Sequence, residues 1–356
     1  MLAATTMLLA QDRIVYVGTY TSGASKGIYA FRLNSSTGKT TEPILAVESS
    51  NPAFLALHPS GRFLYSANEN ANGMLSAFAT GEKLMLLNSV SSRGAGPCHV
   101  SLDRTGKWLF AANYNSGSVA VFPVGADGKL GDASTVVQHS GSSVNRERQE
   151  GPHAHEVVVS ADNQFVLVPD LGADRVVIYR FDAAKGTFAP GTPAFVKAAP
   201  GAGPRHLAFA PDGKFVYVLN ELAASITTFR YENGSMNELQ TISTLPADFA
   251  GAKSGAEIAV HPSGKFLYAS NRGHDSIAVF RIDSSKATLT AAGHAPTQGK
   301  TPRNFAIDPT GAYLLAANQD SGTVVVFAID PKTGGLSPTG QVVQIPSPVS
   351  LVFASP

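Results

Sequence analysis

Several scarcities narrow what this chain of 356 residues can do. There is one cysteine, Cys98, which excludes an internal disulfide framework and any cysteine-based zinc or iron–sulfur site. Charge is sparse and balanced, 15% of residues with a formal net of +1, so the clustered basic residues that nucleic acid or an anionic membrane require are missing. Neither is expected as a partner. Amphipathic helical periodicity is absent, and no G-x-S-x-G sits on a strand-to-helix turn, which removes the serine-hydrolase reading. The opening MLAATTMLLAQ is apolar but lacks a basic n-region and is too short to span a bilayer. Residues 1–12 are expected to be an N-terminal extension or the end of an export signal.

What the chain has in quantity is Gly (34) and Pro (22), hence many turns. The stretch Gly203 to Glu221, GPRHLAFAPDGKFVYVLNE, shows how they are used. Apolar, strand-forming residues from Leu207 to Phe209 and from Phe215 to Leu219 flank a Pro211-Asp212-Gly213 turn, which predicts a hairpin. Its polar ends, Arg205-His206 and Asn220-Glu221, share one sheet edge because paired antiparallel strands bring them together.

The pattern recurs from Leu55 to Asn68, Val100 to Asn113, Val157 to Asp170, Ile258 to Asn271 and Phe305 to Asn318. Subtracting neighbouring turn positions gives spacings of 45, 57, 50, 51 and 47 residues, the period of propeller blades. A third strand follows each copy, as in SVAVFPV or SIAVFRI, and then a more variable fourth. Two remnants complete a seventh blade: Arg13 to Tyr20 with Gly27 to Leu33 supply middle strands, and Ser347 to Ala354 a lone first strand. The expected fold is therefore all-β, one seven-bladed propeller over residues 13–356 of four-stranded antiparallel blades. Its ring is closed by the two chain ends in one shared blade, which leaves no open edge.

The polar residues just before each first strand and just after each second strand should gather at one mouth of the central channel. They are rich in Arg and His and poor in carboxylates, which predicts an anion-binding mouth. The recurrent asparagines read first as turn residues bonded to local backbone. His155, Arg205, Glu221 and Arg272 instead depart from what sibling copies carry, and a residue that breaks its own repeat is the better functional candidate. His153, His99, Arg303, Arg148, Asn113 and Asn271 are the candidate substrate contacts. His58 and His261, inside hairpin turns, read as structural. His153 and His155 could share a strand face, but two ligands do not make a metal site, and no metal or cofactor is expected.

The motifs VYVGTYTSGASKGIYAF, GPCHVSLDRTGKWLFAANY, RQEGPHAH, GPRHLAFAPDGKFVYVLNE and AEIAVHPSGKFLYASNRGHDSIAVF resemble the lactonase propeller family. That family includes the bacterial propeller-type 6-phosphogluconolactonases and, as relatives, the fungal carboxy-cis,cis-muconate cyclases. The resemblance runs from about Ile14 to Phe353, whereas WD-type repeats are disfavoured by a single Trp108 and no Trp-Asp pair. It implies a His, Arg, Glu, Arg active-site set at His155, Arg205, Glu221 and Arg272. It further implies metal-free hydrolysis of an anionic sugar lactone, foremost 6-phosphoglucono-1,5-lactone, a step of carbohydrate metabolism.

On that reading Glu221 or His155 is the general base, and Arg272 or Arg205 stabilises the oxyanion. The other arginine, with Arg303 or with Arg148 in the long Ser140 to Gly151 loop, holds the anionic group. That loop accounts for the 57-residue spacing and is expected to act as a lid. A cycloisomerase acting on a carboxylated lactone, or a ligand-binding propeller without catalysis, are the alternatives. The expectation is a cytoplasmic monomer, or an exported protein if residues 1–11 end a signal.

Overall fold

The computed structural model describes residues 12–354; the expected extension or signal segment at residues 1–11 lies outside them. Every regular element among the described residues is a strand, and the 28 strands form seven four-stranded antiparallel sheets. In blade 5 the order from axis to rim is Pro204–Phe209, Phe215–Asn220, Ser225–Glu232 and Ser235–Ser243. The predicted hairpin is the inner half of that blade.

Gly213 sits at the turn with φ 70°, a left-handed conformation without cost to glycine; in blade 4 the same place is taken by Asn163 at φ 61°. Second strands are apolar throughout because both faces are buried. Val216 and Val218 pack toward blade 4, whereas Tyr217 and Leu219 pack toward blade 6. Seven apolar clusters result, one in each interface between neighbouring blades. His58 and His261 tie these interfaces at the base, each Nε2 bonding the turn carbonyl of the next blade, Gly106 at 3.1 Å and Gly311 at 2.9 Å.

Closure follows the sequence pattern. Blade 1 is built from Pro348–Phe353, Asp12–Thr19, Gly27–Asn34 and Ile44–Glu48, so the C-terminal strand lies innermost beside the N-terminal one. The first strand begins at Asp12, one residue before the expected boundary. Blade 4 departs from its siblings. Its innermost strand is only Val158–Val159, supplemented by a bridge between Ala154 and Asp170.

This blade also carries Asp170 where five sibling copies have Asn. Its carboxylate takes the His153 backbone N–H at 2.8 Å and the His139 ring at 2.8 Å, and His139 continues to Tyr179 Oη at 2.9 Å. This buried network adds to the backbone bonds from His155 N to the Pro169 carbonyl and from Leu171 N to the His153 carbonyl, 3.0 Å each, in holding the segment that carries His153 and His155.

Candidate active site

Two rings of seven positions, one from each blade, surround one end of the axis. The first is a β-bulge near the start of each innermost strand, where the pairing register shifts and the extra residue is turned inward. From blade 1 onward these bulges carry Val349, Ala53, Cys98, the equivalent His155, Arg205, Ala256 and Arg303. The second ring follows the second strands: Tyr20, Glu69, Tyr114, Leu171, Glu221, Arg272 and Gln319. Repetition builds the frame, and the side chains that differ between blades supply the chemistry.

Glu221 is the hub. Arg148 Nη2 donates to its Oε1 at 2.6 Å, and Arg272 Nη2 lies 2.9 Å from Oε2. Arg205 Nε is 3.0 Å from Oε2 but out of line for a hydrogen bond, and its Nη1 donates to the Ala256 carbonyl. Arg272 also donates to the Gly255 carbonyl at 3.1 Å. Burial would raise the Glu221 carboxyl, but Arg272, Arg205 and Arg148 together hold it down to about 2. For Arg272, burial and the repulsion of Arg205 and Arg303 outweigh Glu221 and bring it down to about 10, still a cation at neutral pH.

His155 lies against this cluster as a neutral imidazole. Burial first, then Arg205, His206 and Arg303, push it well below its ordinary value of 6.5. Its ring meets His206 edge-on at 5.1 Å and Tyr114 at 5.4 Å between centroids. Nδ1 is 3.9 Å from Cys98 Sγ, and no described residue hydrogen-bonds Nε2. The Cys98 thiol donates to the His155 carbonyl at 3.2 Å, and burial raises its pKa. Among the described residues no three His, Cys, Asp or Glu side chains converge as metal ligands.

One layer deeper, Phe54, His99, Glu156, His206, Glu257, Asn304 and Ser350 occupy one equivalent place per blade. Their polar ends close onto neighbouring backbone or on one another: Glu156 accepts from Leu207 N at 2.5 Å, Asn304 from Leu351 N at 2.9 Å, and Glu257 from His206 Nδ1 at 2.9 Å. Burial, then Glu257, raise the Glu156 carboxyl well above its ordinary value, whereas contact with His206 lowers that of Glu257 against its own burial. These groups floor the cup.

The structure brings His155, Arg205, Glu221, Arg272, Arg303 and Arg148 together. Four other expected substrate contacts are engaged within the protein. Asn113 and Asn271 are fully buried, with Nδ2 donating to the Ser92 carbonyl at 3.1 Å and to the Thr244 carbonyl at 2.8 Å, and Thr244 Oγ1 donating to Asn271 Oδ1. His153 stacks on Tyr114 at 4.4 Å, with Nδ1 on the Tyr114 carbonyl at 3.0 Å and Nε2 on Glu150 at 3.2 Å, and acts as a strut for the loop. His99 belongs to the floor, its Nε2 3.6 Å from Glu156.

Tyr20 was not among the expected site residues. Aligning Arg13–Tyr20 on the other second strands puts Thr19 at the Asn position and Tyr20 beside Glu69, which is the signal that would have found it.

A closed propeller whose cup gathers four guanidiniums around two carboxylates and a neutral imidazole is a propeller of the enzymatic kind. The chain belongs to the lactonase family of seven-bladed β-propellers, whose model matches residues 14–353. It is 38% identical to the 6-phosphogluconolactonase of Bacillus subtilis over 346 residues, 96% of this chain and 98% of that one. It is 35% identical to that of Formosa agariphila over 303 residues, 82% and 85% of the two chains. The structure of a periplasmic gluconolactonase from Pseudomonas aeruginosa superposes with a TM-score of 0.93 at 36% identity, covering 97% of this chain and 99% of that one. No helix among the described residues is long and apolar enough to cross a membrane.

Proposed function

We propose that the chain hydrolyses a sugar lactone, with 6-phosphoglucono-1,5-lactone giving 6-phosphogluconate. The observation that carries this reading is the pairing of a neutral, buried imidazole with a cluster of cations that one carboxylate cannot neutralise: Arg148, Arg205 and Arg272 share Glu221. His155 accepts a proton from a water that attacks the lactone carbonyl, a role worth about 10²–10⁴ in rate. Negative charge develops on the carbonyl oxygen and is met by Arg272, partly open to the cup with 16% of its side chain exposed. Collapse expels the ring oxygen, which takes the proton back from His155.

Glu221 is not the base in this scheme. Both its oxygens are committed to arginines and its pKa of about 2 makes it a weak proton acceptor. It positions the guanidiniums. Arg205, fully enclosed, supplies fixed positive charge, and Arg148, at the edge of the cup, holds the phosphate.

A second substrate, unphosphorylated glucono-1,5-lactone, is favoured by the likeness to a periplasmic gluconolactonase, since a phosphorylated intermediate belongs in the cytoplasm. Hydrolysis of both lactones by wild type and by Arg272→Ala tests the proposal. The expected loss in Arg272→Ala is about 10²–10³ in kcat. Equal rates would refute it, and the preferred lactone assigns the substrate.

A further inference from the structure

Across the cup from Glu221, blades 1, 2 and 7 contribute a second polar group with a different character. Tyr20 Oη donates to Glu69 Oε2 at 2.6 Å, and Arg303 Nη2 lies 4.0 Å from that same oxygen. The Arg303 guanidinium carbon lies over the Tyr20 ring, 5.2 Å from its centroid. Glu69 is anchored through its own N–H to the Asn51 carbonyl at 2.9 Å.

The three side chains occupy the same rings as the proposed catalytic groups. Tyr20 and Glu69 stand at the position that Glu221 and Arg272 hold in blades 5 and 6, and Arg303 at the bulge that Arg205 holds in blade 5. The two carboxylates differ in exposure: Glu221 is sealed at 3%, whereas Glu69 keeps 22% open. Charge separates the two poles. Three cations share one carboxylate around Glu221, but Glu69 and Arg303 offset each other, so this pole has no net attraction for an anion. No described residue hydrogen-bonds Glu69 Oε1. Burial raises the Tyr20 phenol, which therefore stays a donor.

An ionised acceptor beside a planar donor, electrically neutral as a pair, matches vicinal hydroxyls: the carboxylate accepts from one O–H while the guanidinium donates to the next oxygen. We propose that Tyr20, Glu69 and Arg303 form a specificity-determining subsite that reads the hydroxyls of the lactone ring, opposite the pole that handles its charge. The inference rests on the lactonase reading and names the part of the substrate this side of the cup selects.

The test compares glucono-1,5-lactone with δ-valerolactone, the same ring without hydroxyls, on wild type, Glu69→Gln and Tyr20→Phe. Hydrogen bonds to a charged group translate into about 10–100-fold in kcat/KM. Glu69→Gln should lose that factor on gluconolactone while staying within about threefold of wild type on valerolactone, and Tyr20→Phe should show a smaller loss of the same selectivity. Parallel losses on both substrates, or an unchanged ratio, would overturn the subsite while leaving lactone hydrolysis intact. Failure of wild type on every lactone would overturn the lactonase reading itself. Thermal unfolding of each variant guards against a folding defect, and a variant that folds normally with an unchanged ratio counts against the subsite.

Discussion

Arg148 Nη2 and Glu221 Oε1 are 2.6 Å apart, although 73 residues separate them along the chain. The Ser140–Gly151 loop thus reaches from the blade 3 side and closes onto a carboxylate already shared by Arg205 and Arg272. Its arginine is the most exposed of the cluster, with 42% of the side chain open, and an incoming anion can compete for it.

Arg148→Ala should therefore act on binding. The expected result is an approximately tenfold rise in KM for the phosphorylated lactone with kcat within about threefold. Stability should fall by less than about 1 kcal/mol, because the pair is partly exposed and two guanidiniums still face Glu221. Steady-state kinetics and urea unfolding check this, and an equal loss in kcat would place Arg148 in the chemical step.

Acid should weaken the fold in two stages. His155, His99 and His206 are all pushed below 6.5 in the folded chain, so below about pH 6.5 the unfolded chain binds protons that the folded one refuses, and stability falls with pH. Glu221 adds a second stage: its contribution is complete above about pH 4.5 and is lost as pH falls toward about 2, a shift worth about 3 kcal/mol. Glu156 acts in the opposite sense, costing stability as pH rises through its raised folded value, but it is one group against three imidazoles. The urea midpoint should therefore fall between pH 7.5 and pH 5.5. A flat or rising midpoint would contradict the neutral state of the histidines.

Cys98 should be inert while the chain is folded. It is buried, its thiol is shifted up, and its hydrogen is donated to the His155 carbonyl. A thiol reagent should find no group in the native protein and one after denaturation. Fast native labelling would mean that the segment beneath His155 opens in solution.

The hairpin repeat was legible in the sequence because each second strand must be apolar on both faces and each turn needs a residue that accepts positive φ. Its regularity also exposed the residues that break it, His155, Arg205, Glu221 and Arg272, and all four meet at the cup. The same regularity marked the recurrent asparagines as bonded to local backbone, and the Nδ2 groups of Asn113 and Asn271 do donate to backbone carbonyls. The bulges that turn Arg205 and Arg303 inward were not legible, since an extra residue in one strand leaves no mark in an apolar pattern. Nor was the reach of Arg148, a contact set by how the loop folds back rather than by local spacing. Asp170 was visible only as a departure from Asn; its network depends on His139 and Tyr179, brought together by the fold.

The central claim is that a neutral His155 beside the Glu221–arginine cluster is the base in lactone hydrolysis. The most direct measurement is the initial rate of 6-phosphoglucono-1,5-lactone hydrolysis at pH 6.5 by wild type and His155→Gln, with each variant's folding checked by thermal unfolding. The predicted result is a folded variant slowed by about 10²–10⁴. A folded His155→Gln protein within twofold of wild type would contradict it.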